Sequence, residues 1–153
     1  MRERAGQVTG DRWVGCRPKL YQYYLNYRSP QAWSAIALIR VGALRALGGV
    51  TVRERRKYPP ILVPRGEGGW HFSWMGDIAA MQLKIHNWMH GEFDIPKFCE
   101  PERMKWRIAQ GRDLFHKRPG VCWQVPLSDL PREVQDHPDR YAQYLLPPLK
   151  EAA

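Results

Sequence analysis

The groups best suited to chemistry gather in one short run, Gly68-Gly69-Trp70-His71-Phe72-Ser73-Trp74. Two adjacent glycines permit a tight turn with either sign of φ. After them Trp70, Phe72 and Trp74 alternate with His71 and Ser73, the period-two pattern of a strand with two unlike faces. One face is then a wall of aromatic rings, and the other presents an imidazole and a hydroxyl. Such walls beside a few convergent polar groups suit a cleft for a sugar or another small ligand. The alternative is a core strand whose His71 and Ser73 are satisfied by neighbours, and the pattern alone favours it. His86 and His90 stand at i, i+4 on a predicted helix, a spacing that could hold one metal ion. Neither the Glu of H-E-x-x-H nor an evident third ligand accompanies them, so zinc is not expected there.

Positioning these groups takes many short elements. Residues 1–17 are polar and glycine-containing and are expected to be poorly ordered. Leu20 to Tyr27 reads as a tyrosine-rich strand ended by Arg28-Ser29-Pro30. Residues 30–48 fit one helix, with Pro30 near its start and Gly48 at its end. Residues 52–60 read as a charged connector and Ile61 to Val63 as a short strand, followed by the strand at 70–74. Asp77 is a good N-cap for a helix to about Met89, with Ile78, Met81, Ile85 and Met89 at core spacing. A further helix starts at Pro101-Glu102, turns Met104 and Ile108 inward and stops at Gly111. Val121 to Val125 is a strand, and residues 131–146 hold one or two short helices broken around His137-Pro138. The layout is mixed α/β.

Composition narrows the class. The 153 residues suit one domain, and 44% hydrophobic residues suffice for a core. Mean hydropathy is −0.55, and no apolar run approaches the ~20 residues of a membrane span. Met1-Arg2-Glu3-Arg4 lacks the apolar stretch of a secretory signal, so a cytoplasmic location is expected. Cys16, Cys99 and Cys122 are odd in number and irregularly spaced, which reads as free, mostly buried thiols. A net charge of +9 raises nucleic-acid binding. The densest cluster is Arg53, Arg55, Arg56 and Lys57; a second is Arg103, Lys105, Arg107 and Arg112, with Lys117-Arg118 nearby. The charge is spread along the chain without a basic tail, so solvated faces are the preferred explanation and nucleic acid is not expected.

Several ordered pieces resemble glycosyltransferase family 17, the relatives of β-1,4-mannosyl-glycoprotein β-1,4-N-acetylglucosaminyltransferase. Trp70-His71-Phe72-Ser73-Trp74-Met75-Gly76 is similar to that family's G-W-H-F-S-Y-G signature. Tyr21 to Arg28 resembles the aromatic strand upstream of it, and Trp33 the tryptophan that follows. Lys84, His90, Glu92 and Phe93 resemble a K-x-x-x-x-x-H-x-E-[YF] element, and Gly111, Asp113, Leu114 and Phe115 a G-x-D-L-F element. Pro126 to Leu146 resembles the closing segment. Over 30–48 the resemblance implies a strand from about Trp33 to Val41 and a short helix ending near Leu47.

The implied fold is the C-terminal half of a GT-A-like (nucleotide-diphospho-sugar transferase) domain, a mixed sheet with short flanking helices. It would occupy 20–147, between a poorly ordered segment 1–19 and a tail 148–153. The implied activity is hexosyl transfer, N-acetylglucosamine from UDP-GlcNAc, to a glycan hydroxyl with inversion. Mn²⁺ or Mg²⁺ is the implied cofactor, but the acidic D-x-D-E motif that would hold it is not in this chain. A second chain supplying that nucleotide-binding half is the implied partner, beside the UDP-sugar donor and the glycan acceptor. Glu92, then Asp113, are the candidates for the base that takes the acceptor proton; turn or N-cap work is the alternative for Asp113. Trp70, His71, Ser73, Trp74 and His90 are the candidate substrate contacts, and His71 is also the candidate metal ligand. Asp77 stands where the family has a small residue, which favours capping. The alternative function is a small basic protein that binds nucleic acid or glycan without catalysis.

Overall fold

In a computed structural model of the chain, residues 13–33, 36–55, 61–62, 68–116 and 119–147 are described. The expectations for 1–12, for Arg56 and Lys57 in the connector, for Val63, for Lys117-Arg118 and for the tail 148–153 fall outside them. The chain divides into two units, each made of two stretches: Met1–Leu20 with Ala32–His71, and Tyr21–Gln31 with Phe72–Ala153.

The first unit is built on β1 (Trp13–Cys16), every residue of which is buried. That corrects the expected disorder for the end of the N-terminal segment: four residues rich in apolar side chains form the middle strand of a sheet ordered β4-β1-β5. β4 (Ile36–Ile39) runs antiparallel to it, with Trp13 opposite Ile39, and β5 (Ile61–Leu62) runs parallel, with Val14 opposite Ile61. The sheet is thus mixed, with β1 paired along both edges, and burial at every one of its positions means that both of its faces are covered. After β4 come α1 (Val41–Leu47) and α2 (Gly49–Arg55), divided at Gly48, whose φ is +76°. The strand-then-short-helix alternative for 30–48 holds; the single helix does not. The connector at 52–60 is helical as far as Arg55. Gly68 is required for space: a Cβ there would lie 2.7 Å from the Arg17 nitrogen. Beside it the Lys19 N–H donates to the Gly69 carbonyl at 2.8 Å.

Strands β2 (Lys19–Gln22), β3 (Tyr27–Ala32), β6 (Trp70–Ser73) and β7 (Trp123–Gln124) make the other sheet, ordered β6-β2-β3-β7. β3 and β7 are antiparallel, with Tyr27 opposite Gln124. The expected strand Leu20 to Tyr27 is broken at Tyr23, which sits in the left-handed region at φ +71°. Bulky residues adopt that conformation only when compensated; here the Tyr23 hydroxyl donates to the Arg112 carbonyl at 2.8 Å. The turn is also clasped by the chain's far end. Asn26 Nδ2 donates to the Leu146 carbonyl at 3.0 Å, the Leu146 N–H donates to Asn26 Oδ1 at 2.8 Å, and the Leu25 N–H donates to the Tyr144 carbonyl. Arg28-Ser29-Pro30 continues β3 rather than ending the strand.

Helix α3 (Ile78–His86) starts as expected: Asp77 Oδ1 accepts from the Ala80 N–H at 2.8 Å. Met81 and Ile85 are buried, but the helix stops at His86, and Met89 is 72% exposed instead of packing in the core. After a 3₁₀ turn (Gly91–Phe93) come α4 (Pro96–Cys99) and α5 (Pro101–Ala109), the latter capped by the Glu100 carboxylate. Met104 is buried inside α5, and Gly111 at φ +63° terminates it. Beyond β7, α6 (Arg132–Asp136) and a 3₁₀ stretch (Pro138–Tyr144) are separated at His137. Two apolar clusters of the second unit are formed among the described residues. One gathers Trp74, Met81, Ile85, Phe93, Met104 and Phe115; the other gathers Tyr21, Val125, Leu130 and Val134.

Candidate functional site

The aromatic wall expected on β6 does not form. Trp70 is 41% exposed on the first unit. Phe72 lies against Tyr21, ring centroids 5.3 Å apart, in the second core. Trp74 leaves the strand at φ +58°, and only 8% of it is exposed. Its ring meets Phe115 at 5.2 Å and Trp88 at 5.4 Å, while Lys84 Nζ sits 4.5 Å above it. A sugar cannot stack on a ring so covered, so Trp74 is a packing residue. Desolvation by burial lowers the Lys84 pKa, in opposition to the attraction of the ring face for the ammonium. Ser73 is half-buried, and its carbonyl accepts from the Tyr23 N–H at 3.2 Å.

His71 stays half-buried in the first unit, where its ring lies on Trp33 at 4.7 Å and 13°. The period-two pattern carried no signal for that partner, which arrives from beyond β3. A hard divalent cation asks for oxygen ligands, and Glu54 is the one carboxylate of this unit among the described residues. Among the described residues His71 belongs to no group of three or more metal-ligating side chains, and its expected acidic partners belong outside this chain.

In the second unit the motif-like residues surround one aromatic cluster. Trp88 packs on Phe93 at 5.5 Å and Phe115 at 5.6 Å, and Phe98 on Phe93 at 5.7 Å. At its border His90 Nδ1 lies 3.1 Å from Glu92 Oε1, and the His90 ring stands edge-on to Trp88 at 4.6 Å. Both side chains are exposed, so Glu92 is a carboxylate in solvent beside an imidazole.

Asp113 is different. It is 8% exposed, and its Oδ2 accepts from the Phe115 N–H two residues on, at 3.1 Å. That is turn work. It does not present a base to a solvent-borne acceptor, so this candidate is corrected to a structural one. The whole Gly111-to-His116 stretch wraps buried Arg107: Nε donates to the Asp113 carbonyl at 2.6 Å, and Nη1 lies 3.2 Å from His116 Nε2. Gly111 has no room for a side chain, since a Cβ would meet the Tyr27 hydroxyl at 2.5 Å and the Cys122 carbonyl at 2.9 Å.

Two of the hollows of ligand size in the second unit bear on the candidate residues. One, of about 540 Å³, is lined by Tyr23, Tyr24 and Tyr27 together with Gly76, Asp77 and Lys105. Burial pushes the Tyr23 and Tyr27 hydroxyls above their ordinary range, so they remain protonated donors. The other, of about 410 Å³, is cationic, with Arg107, Arg112 and His116 in its wall. Desolvation first, then Arg107, Arg103 and Lys97, lower the His116 pKa, against an opposing pull from Asp113. The basic run seen in the sequence is thus not one solvated stripe. Arg103 lies over Phe98, Lys105 pairs with Glu102, Arg107 is buried and Arg112 lies over Trp106.

A further constellation escaped the sequence pattern. His86 Nδ1 is 2.6 Å from Asp94 Oδ1, and Cys99 Sγ is 3.8 Å from the same oxygen. These ligand atoms of His86, Asp94 and Cys99 all lie within 4.8 Å of one another. Among the described residues, His90 belongs to no such group. Cys99 is not placed as a nucleophile, because its thiol faces the carboxylate and not the imidazole. Burial and Asp94 both push that thiol's pKa up.

No helix among the described residues is long and apolar enough to cross a membrane. Comparison with protein-family models, with curated proteins and with solved structures gives no match to this chain.

Proposed function

We propose that this chain is the C-terminal part of a glycosyltransferase of the family 17 type, with a GT-A-like fold whose acidic nucleotide-binding half is supplied elsewhere. The observation that supports it most is the hollow of about 540 Å³, where tyrosines of the Tyr21 to Arg28 segment meet Gly76 and Asp77 at the end of the Trp70 to Gly76 segment. Two family-like elements, distant in sequence, line one cavity whose size and tyrosine-rich wall suit a sugar ring. The half-buried Tyr24 ring would cover the apolar side of the sugar, and Lys105 and Asp77 would meet its hydroxyls. In transfer, the acceptor hydroxyl attacks the anomeric carbon as the bond to the departing diphosphate breaks. Glu92, exposed beside His90 and outside the lining of that hollow, is the carboxylate that would take the hydroxyl proton from an acceptor reaching it from solvent. The diphosphate, and the cation that accompanies it in such enzymes, would be held by the acidic half supplied elsewhere.

A glycan titration followed by intrinsic fluorescence tests the cavity, with Tyr24→Ala as the variant. Saturable binding lost in Tyr24→Ala supports the reading, and absence of saturable glycan binding overturns it. The cationic hollow around Arg107 and Arg112 favours the second reading, a basic binding protein without catalysis. Salt-sensitive retention of RNA or DNA, with no glycan binding, would select that one.

A further inference from the structure

The geometry points to a zinc-class metal site at the end of α3, made by Nδ1 of His86, a carboxylate oxygen of Asp94 and Sγ of Cys99. Nitrogen, oxygen and sulfur donors together suit Zn²⁺ or Co²⁺ and do not suit Mg²⁺ or Ca²⁺, which take oxygen. The site is therefore distinct from any cation on a sugar-nucleotide diphosphate, and it does not depend on glycosyl transfer. Tetrahedral zinc, with bonds of about 2.0–2.3 Å, sets its donors roughly 3.3–3.7 Å apart. The Cys99–Asp94 separation of 3.8 Å already matches that spacing. The His86–Asp94 contact of 2.6 Å would open by about 1 Å. Asp94 now faces an imidazole nitrogen and a thiol at once, and a cation between the three would take the place of the protons that hold them together.

The backbone already carries the ligands in place. Gln82, one turn before His86 on α3, donates from Nε2 to the Cys99 carbonyl at 2.6 Å. The Asp94 N–H donates to the Gly91 carbonyl, and the Cys99 N–H to the Ile95 carbonyl. Three separate elements would be joined through one ion. His86 is more than half exposed, and three protein ligands leave a fourth position for water.

Co²⁺ titration of the intact chain under reducing conditions tests this. One saturable equivalent is expected, with thiolate-to-cobalt charge-transfer absorption and displacement by Zn²⁺. Cys99→Ser should abolish the charge-transfer band, and His86→Ala or Asp94→Asn should weaken binding at least about tenfold. His90→Ala should leave it unchanged. All four changes fall on half-exposed or exposed side chains, and far-ultraviolet circular dichroism checks that each variant folds. Zn²⁺ should also slow alkylation of Cys99 in a saturable way. Failure of Co²⁺ to saturate, an undiminished band in Cys99→Ser, or loss of binding in His90→Ala would each overturn the assignment.

Discussion

Gly111→Ala is the sharpest probe of why the G-x-D-L-F element exists. The residue sits at φ +63°, a conformation costing a residue with a Cβ about 1–2 kcal/mol. The added methyl would lie 2.5 Å from the Tyr27 hydroxyl, 2.9 Å from the Cys122 carbonyl and 3.0 Å from the Cys122 nitrogen. Two of those atoms are backbone and cannot simply swing aside. Relief would push apart the Cys122 N–H and the Gly111 carbonyl, now hydrogen-bonded at 2.8 Å, forfeiting about 1 kcal/mol. Overpacking around Tyr27 adds about 1 kcal/mol or more. The sum is about 4 kcal/mol, which at roughly 2–4 °C per kcal/mol lowers the melting temperature by about 8–16 °C. Urea unfolding read by fluorescence measures it, with Gly91→Ala as the control, since a Cβ there meets nothing within 4 Å. A loss under about 1 kcal/mol, or one equal to the control, would refute a steric origin for Gly111.

Asp77→Ala should cost about 1 kcal/mol by removing the α3 cap, seen as a lower urea midpoint at unchanged slope. Tyr21→Phe should stabilise by about 1 kcal/mol, because its buried hydroxyl has no hydrogen-bond partner among the described residues; a destabilised variant would contradict that. The His116 pKa is lowered from its ordinary 6.5, so the folded state binds the proton less readily than the unfolded chain. Its contribution to stability is complete above that value and is lost as pH falls through the folded-state pKa. Urea midpoints followed down from neutral pH should therefore drop less in His116→Gln than in the parent, and equal drops would contradict the assignment.

Local signals carried into the structure intact. The Asp77 cap and the Gly111 stop depend on residues within a few positions of one another, whereas over 30–48 the local cues favoured one helix and only the family resemblance implied the strand and short helix that form. What failed to show in the sequence was set from far away. Tyr23 turns left-handed because Arg112 and the C-terminal segment hold its turn, so one strand becomes two. Trp74 breaks the period-two count for the same kind of reason, flipping into a pocket made by Trp88 and Phe115. The i, i+4 spacing of His86 and His90 holds only on an unbroken helix, but Asn87 ends the helix and its side-chain amide donates back to the Leu83 carbonyl. The groups that do join His86 come from a 3₁₀ end and a four-residue helix, neither of which has a strong periodic signature. Asp113 matched a family-like spacing, yet that spacing serves a turn around Arg107.

The clasp on Asn26 has a consequence for synthesis. Its two partners on Leu146 lie 120 positions later in the chain. At roughly 5–20 residues per second, a ribosome delivers them about 6–24 s after Asn26 itself. Until then water must serve that amide, so the second unit closes only after Leu146 has been made.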